Sequence, residues 1–215
     1  MKTFDQQAAG RVIYELTAVI QKNRDYLSEI DGATGDGDHG VNMNKGFTKC
    51  REQLEGGGEG RSLSEAMDLL GDILLSEIGG SMGPLYGTFF MEMAENIGGK
   101  AQIGAEDFLG MLKAGLAGIR ALVPTEIGDK TLLDVLVPSV AAFETALAVG
   151  KDFDAALDTL KVAAAESREA TKDMVAKVGR ASRLGERSRG FYDAGATSCA
   201  LILASLADSV QALLR

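Results

Sequence analysis

The chain has 215 residues, of which 46% are hydrophobic and 25% charged, with a formal net charge of −9. Such a length and composition fit one medium globular domain able to bury a single core. The acidic balance excludes a general nucleic-acid binder, which needs a basic face, and two cysteines are too few for a disulfide framework.

Alternation of β-branched and aromatic residues is nearly absent, while Ala, Leu, Met and Glu dominate, so an all-α fold is expected. Eight helices are predicted along the chain. The first covers Phe4 to Ser28, with Val12, Ile13, Leu16, Val19 and Ile20 at helical spacing. The second covers Val41 to Leu54, and the third Ser62 to Ile78, opened by the capping-box pair Ser62 and Glu65. The fourth covers Pro84 to Ile97, with Pro84 suited to the first turn. Glu106 to Leu122, Thr131 to Ala148, Phe153 to Val178 and Ala196 to Leu214 complete the set. Cys50 and Cys199 read as small packing residues of a reducing compartment. The first seven residues lack an apolar signal core, and no apolar run approaches membrane-spanning length. A cytoplasmic location without membrane contact follows as the expectation. No linker or composition shift divides the chain, so residues 1–215 are expected to form one domain.

Helices joined by short loops pack up and down by default. The first, third, fifth and seventh loops then share one end of the bundle. These are Asp31–Gly40, Gly79–Gly83, Val123–Lys130 and Gly179–Gly195, and they hold nearly every unusual cluster in the chain. The opposite end receives Glu55–Arg61, Gly98–Lys100 and Val149–Lys151, which are plain glycine and charge. One end is therefore expected to carry function.

In the first of these loops, Asp31, Asp36 and Asp38 place three carboxylates within eight residues, separated by glycines. Asp and Gly also make ordinary turns. The third carboxylate and the polar His39, Asn42 and Asn44 favour a Mg²⁺ site, because Mg²⁺ bridges a few carboxylates to substrate phosphates. A calcium EF-hand fails on spacing: counted from Asp36, Val41 occupies the position of the required Gly and Phe47 that of the bidentate Glu.

Gly79-Gly80-Ser81-Met82-Gly83-Pro84 opens a helix and suits either phosphate approach or close helix packing. No Walker A pattern occurs anywhere. Gly128-Asp129-Lys130-Thr131 resembles the end of a P-loop interrupted by Asp129, whose plainer role is to cap the sixth helix. Asp134, one turn on, reads as a supporting or a solvated carboxylate. Four arginines (Arg180, Arg183, Arg187 and Arg189) gather in the last loop, as a phosphate-binding set or a basic docking surface. Asp193 caps the last helix or meets a ligand. His39, the only histidine, reads as a hydrogen-bond donor to phosphate in preference to a catalytic base, since phosphoryl transfer relies on positioning and charge neutralisation.

In sequence order, Gly35–Phe47, Gly79–Phe90, Gly128–Thr131 and Gly179–Ser198 resemble the four motifs of the nucleotide-binding L subunit of dihydroxyacetone kinases. The resemblance implies an eight-helix antiparallel closed barrel with nucleotide at one end. It implies that Asp31, Asp36 and Asp38 hold two Mg²⁺ ions bridged to ADP or ATP. The implied nucleotide contacts are His39, Gly40, Asn42, Gly80, Ser81, Gly128, Thr131, Arg180, Asp193, Ala194 and Gly195, with Arg180 and His39 closest to the chemistry. Met82 departs from the family, which commonly has Ser there, and Ala194 stands where proline is frequent. The resemblance further implies that a separate K subunit holds dihydroxyacetone, and that a phosphotransferase-system M subunit recharges the bound ADP. A tetrulose kinase subunit and a non-catalytic regulatory subunit are the alternatives, and a homodimer is left open.

Overall fold

In a computed structural model, residues 2–56 and 60–215 are described, so Gly57, Gly58 and Glu59 of the expected second loop lie outside the described residues. Nine α-helices are present among the described residues: α1 (Arg11–Lys22), α2 (Arg24–Thr34), α3 (His39–Gly56), α4 (Leu63–Glu77), α5 (Met82–Ile97), α6 (Ala105–Leu122), α7 (Leu133–Ala148), α8 (Phe153–Ala170) and α9 (Ala194–Leu213). α3 to α9 each pack on the helix before them, α9 also packs on α1, and α3 packs on both α1 and α2.

Two predicted helices are corrected. The segment predicted as one helix from Phe4 to Ser28 is a short strand, a 3-10 turn and two helices. Phe4 and Asp5 pair antiparallel with Ile103 and Gln102 as β1 (Phe4–Asp5) and β2 (Gln102–Ile103). Gly10 then gives its N–H to the Arg61 carbonyl at 3.1 Å, a non-local bond that a continuous helix would not leave free. α1 stops at Asn23, whose Nδ2 bonds back to the Val19 carbonyl at 2.8 Å, competing with the helical ladder. The helix predicted from Phe153 to Val178 ends at Ala170, and a 3-10 turn at Thr171–Asp173 follows. The reason is tertiary: residues 174–190 form a strap that bonds across to the 128–131 loop.

Local signals succeed elsewhere. Ser62 and Glu65 make the reciprocal capping box at α4, and Pro84 lies in the first turn of α5. Cys50 and Cys199 are buried. One contiguous core runs from Phe4 to Leu214, with Phe108, Phe143 and Phe153 meeting at ring distances of 5.5 to 6.1 Å. The expectation that no apolar run reaches membrane-spanning length is also corrected. α9 is 20 residues long and apolar enough to span a membrane by composition, and 67% of its apolar window is buried inside the bundle. Its apolar character follows from its place: it contacts α1, α2, α7 and α8, so few of its faces meet water.

Candidate nucleotide and metal site

A cavity of about 440 Å³ is lined by residues from all four loops expected at one end of the bundle. The first residues of α3, α5, α7 and α9 (His39, Met82, Leu133 and Ala194) all line it. Helix starts carry unsatisfied N–H groups and positive potential. An acidic chain can thus present a locally favourable site to an anion.

Asp31, Asp36 and Asp38 can each bring one oxygen within 4.8 Å of the others. Asp31 Oδ2 accepts the His39 N–H at 3.3 Å, which ties the end of α2 to the start of α3. The Arg180 guanidinium rests against Asp36 and lies 3.8 Å from Asp38. A cation therefore already sits against these carboxylates, and the oxygen-only donor set suits hard divalent Mg²⁺. On chemistry and on this stand-in cation, the residues fit a Mg²⁺ site.

Across the cavity, Gly80 has φ of +72°, a conformation that favours glycine, and a side chain there would meet nothing within 4 Å. Ser81 precedes α5 without a side-chain cap, so the N–H groups of that helix start stay available. Leu85, Ile119, Val123, Leu132 and Val178 supply an apolar wall. Cavities with such a wall and a few convergent polar groups suit small ligands.

Of the sequence-predicted residues, Asp31, Asp36, Asp38, His39, Asn42, Gly80, Ser81, Thr131, Arg180, Asp193, Ala194 and Gly195 all line this cavity. Gly40 and Gly128 do not. Gly40 is where α3 meets α2, and a Cβ there would run into the Arg24 carbonyl and Ser28. Gly128 has φ of +92° and donates its N–H to Asp134 Oδ1 at 2.5 Å.

The plainer readings of the carboxylates also sort out. Asp129 does not cap α7. Its Oδ2 accepts the Glu126 N–H at 2.8 Å and its Oδ1 pairs with Lys177 at 3.1 Å. Buried Asp134 does the local work instead, accepting from Gly128 and, at 2.6 Å, from Thr131 N–H. Asp193 caps α9 by accepting the Ala196 N–H at 2.7 Å. Burial pushes its carboxyl up to about 6, against the pull of that N–H and of Lys130.

Sequence reasoning missed two features. Lys130 is buried at φ +65°, rare for a residue with a side chain, and its Nζ donates to the Met174 carbonyl at 3.2 Å and the Ser188 carbonyl at 2.5 Å. It is therefore a clasp that holds the strap carrying Arg180, not a free P-loop lysine. Burial lowers its pKa. The Lys177 N–H to the Asp129 carbonyl (3.1 Å) and the Ala176 N–H to Ser188 Oγ (2.9 Å) fasten the same strap. The P-loop-like spelling drew attention to this turn but assigned Lys130 no role. The second feature is a buried pair, Tyr86 and Ser198, behind His39. Ser198 Oγ lies 3.0 Å from His39 Nε2 and 2.7 Å from the Tyr86 hydroxyl. Burial pushes His39 down to about 4, partly opposed by Asp31, so the ring is neutral at pH 7.

A family model described as the DAK2 domain matches residues 33–208. The chain is 34% identical over 214 residues to the "PEP-dependent dihydroxyacetone kinase 2, ADP-binding subunit DhaL" of Listeria innocua serovar 6a, covering 96% of each chain. It is 35% identical over 189 residues to the "PEP-dependent dihydroxyacetone kinase, ADP-binding subunit DhaL" of Escherichia coli K12, covering 88% of this chain and 90% of that one. Its fold matches the crystal structure of the dihydroxyacetone kinase of C. freundii with a TM-score of 0.71 at 24% identity; 96% of this chain spans 35% of that one. The same enzyme was also solved with AMP-PNP and Mg²⁺, and that form matches with a TM-score of 0.68, at 24% identity over 94% of this chain and 33% of that one. The order and spacing of the four motifs thus carry a true relationship, and the chain belongs to the DAK2 domain family.

Proposed function

We propose that this chain is the nucleotide- and Mg²⁺-binding subunit of a dihydroxyacetone kinase. ATP bound in the cavity passes its terminal phosphoryl group to dihydroxyacetone held on a separate K subunit. A phosphotransferase-system M subunit then regenerates ATP from the bound ADP. The observation that carries this reading is the convergence of three carboxylates, Arg180 and four helix starts on one cavity. The near full-length likeness to two ADP-binding subunits supports it.

Asp31, Asp36 and Asp38 would hold two Mg²⁺ ions, which when bound neutralise and bridge nucleotide phosphates. The chain's own residues do the rest. The α5 start and the Gly80–Ser81 backbone bind phosphate oxygens through N–H groups. The apolar wall takes the base and excludes water. Arg180, which rests against Asp36 and Asp38, is the guanidinium of this cavity that would offer its planar fork to the transferring group and stabilise its charge. Asn42, Thr131, Asp193, Ala194 and Gly195 border the remaining nucleotide. Gly40 and Gly128 act through backbone shape.

The α9–α1 contact, added to the chain of neighbouring helices, supports a closed antiparallel barrel. The single core spanning Phe4 to Leu214 supports one domain over residues 1–215, and the likeness to bacterial kinase subunits supports a cytoplasmic location. Exposed Arg183 and Arg187, which make no ion pair among the described residues, are the proposed K-subunit docking points.

The test is calorimetric binding of ADP with Mg²⁺ to the parent and to Asp36→Asn and Asp38→Asn variants. Affinity should fall at least about 100-fold, the top of the range seen when only the supporting shell of a metal site is changed. Unchanged affinity would sink the assignment. Assay with the cognate K subunit on several ketoses then separates dihydroxyacetone from a tetrulose. A complex that phosphorylates none of them, with ATP or phosphodonor protein supplied, would favour a regulatory role.

A further inference from the structure

Ser198 Oγ has three polar neighbours. They are the Gly195 carbonyl at 3.0 Å, the Tyr86 hydroxyl at 2.7 Å and His39 Nε2 at 3.0 Å. The Tyr86 hydroxyl also lies 3.1 Å from the Gly195 carbonyl. Each hydroxyl has one proton and each neutral imidazole has one N–H. The arrangement that places a proton in all three shorter contacts is unique. Tyr86 donates to Ser198, Ser198 donates to the Gly195 carbonyl, and His39 Nε2–H donates to Ser198. If Ser198 donated to His39 instead, its 3.0 Å contact with the Gly195 carbonyl would hold no proton. His39 Nδ1 makes no hydrogen bond to protein among the described residues, and His39 borders the cavity.

We propose that Ser198, braced by Tyr86 and the Gly195 carbonyl, is a positioning residue that fixes His39 as the Nε2–H tautomer. The ring then offers the cavity an acceptor, Nδ1, in place of a donor. Phosphate oxygens carry no proton to give it at neutral pH. The group it recognises is an O–H donor, either a water on the bound divalent cation or a hydroxyl of the nucleotide. This second step rests on the nucleotide-site reading above; the tautomer does not.

His39 is the only histidine, so its ring nitrogens are resolved without assignment in long-range ¹H–¹⁵N spectra of the full chain. At pH 7.5 without ligand, Nε2 should show a pyrrole-type shift and Nδ1 a pyridine-type shift. The reverse would overturn the proposal. Ser198→Ala should give a mixture of tautomers, and Ser198→Cys, a near-isosteric variant with a weaker acceptor, the same change to a smaller degree. Unmixed, parent-like shifts in both variants would show that Ser198 fixes nothing. Mg²⁺ alone and ADP without metal are then added separately. Movement of the Nδ1 resonance with Mg²⁺ assigns the donor to metal-bound water, and movement with ADP to a nucleotide hydroxyl. Protonation of Nδ1 on binding, or no response to Mg²⁺, ADP or both together once calorimetry shows binding, would overturn the acceptor role. Failure of calorimetric binding would instead strike the nucleotide reading and leave the tautomer standing.

Discussion

At the end away from the cavity, Ser62 and Glu65 cap α4, and Asp152 caps α8 by accepting the Ala155 N–H at 2.9 Å. Gln6, fully buried, donates to the Ile97 carbonyl at 2.9 Å and to the Lys100 carbonyl, and accepts the Ser64 N–H at 3.2 Å. All of these bonds except the one to the Lys100 carbonyl satisfy a helix end. At the cavity end Asp193 still caps α9, but the other side chains of the same kinds serve loops. Asp134 holds the Gly128–Thr131 turn, Lys130 holds the strap, and Ser188 holds Ala176. The start of α5 has no side-chain cap. One end spends its polar groups closing helices; the other spends most of them shaping loops and leaves the start of α5 open to a ligand.

Three perturbations break or sharpen that contrast. The largest effect is expected at the cavity end. Lys130→Met removes the donor to two buried carbonyls and should cost about 3 kcal/mol in urea denaturation. Hydrogen exchange over 171–190 should speed up and ADP–Mg²⁺ affinity should fall. Unchanged exchange in the strap would deny Lys130 its role as a clasp. Next, Gln6→Ala at the far end should cost about 2 kcal/mol, by leaving three backbone groups without their partner. ADP–Mg²⁺ affinity should stay at the parent value, and a parallel loss would mean that the two ends are not separable.

The smallest effect is a pH dependence. His39 is pushed from its usual 6.5 to about 4, so between those values the unfolded chain binds more protons than the folded one. Its contribution to stability is present above pH 6.5 and is lost as pH falls toward 4. From pH 7.5 to 6 the parent should lose about 1 kcal/mol more stability than His39→Asn. Asp193, raised to about 6, works in the opposite sense but is common to both proteins and cancels. Equal losses in the two proteins would remove the buried neutral ring from the account.

Much of the bundle was legible because its signals are local. Helical periodicity, the Ser62–Glu65 box and Pro84 each report on residues within one or two turns. The sorting of loops by parity was legible too, since short connections constrain which ends meet. What failed was set from a distance. The 174–190 strap does not continue α8 because Lys130 and Asp129, neither of which lies in the helical pattern of α8, hold it through its backbone, and its residues 181–188 form a separate 3-10 helix. Residues 4–10 do not join α1 because Ile103, Ala101 and Arg61 take their backbone groups. Tyr86 and Ser198 read as an aromatic and a small polar residue inside helices. Their meeting with His39 joins positions 112 and 159 residues apart, which no window on the sequence spans.

The strap carries Arg180 on the carboxylates and Arg183 and Arg187 in solvent within eight residues of one another. Lys130 ties that segment to the 128–131 loop through the Met174 and Ser188 carbonyls, and Ser188 braces it internally by accepting the Ala176 N–H. On the proposed function, a protein grasping the outer arginines and a nucleotide drawing on the inner one would both act on this one segment. Reciprocity follows: whatever factor ADP–Mg²⁺ adds to the partner's affinity, the partner must return to ADP–Mg²⁺.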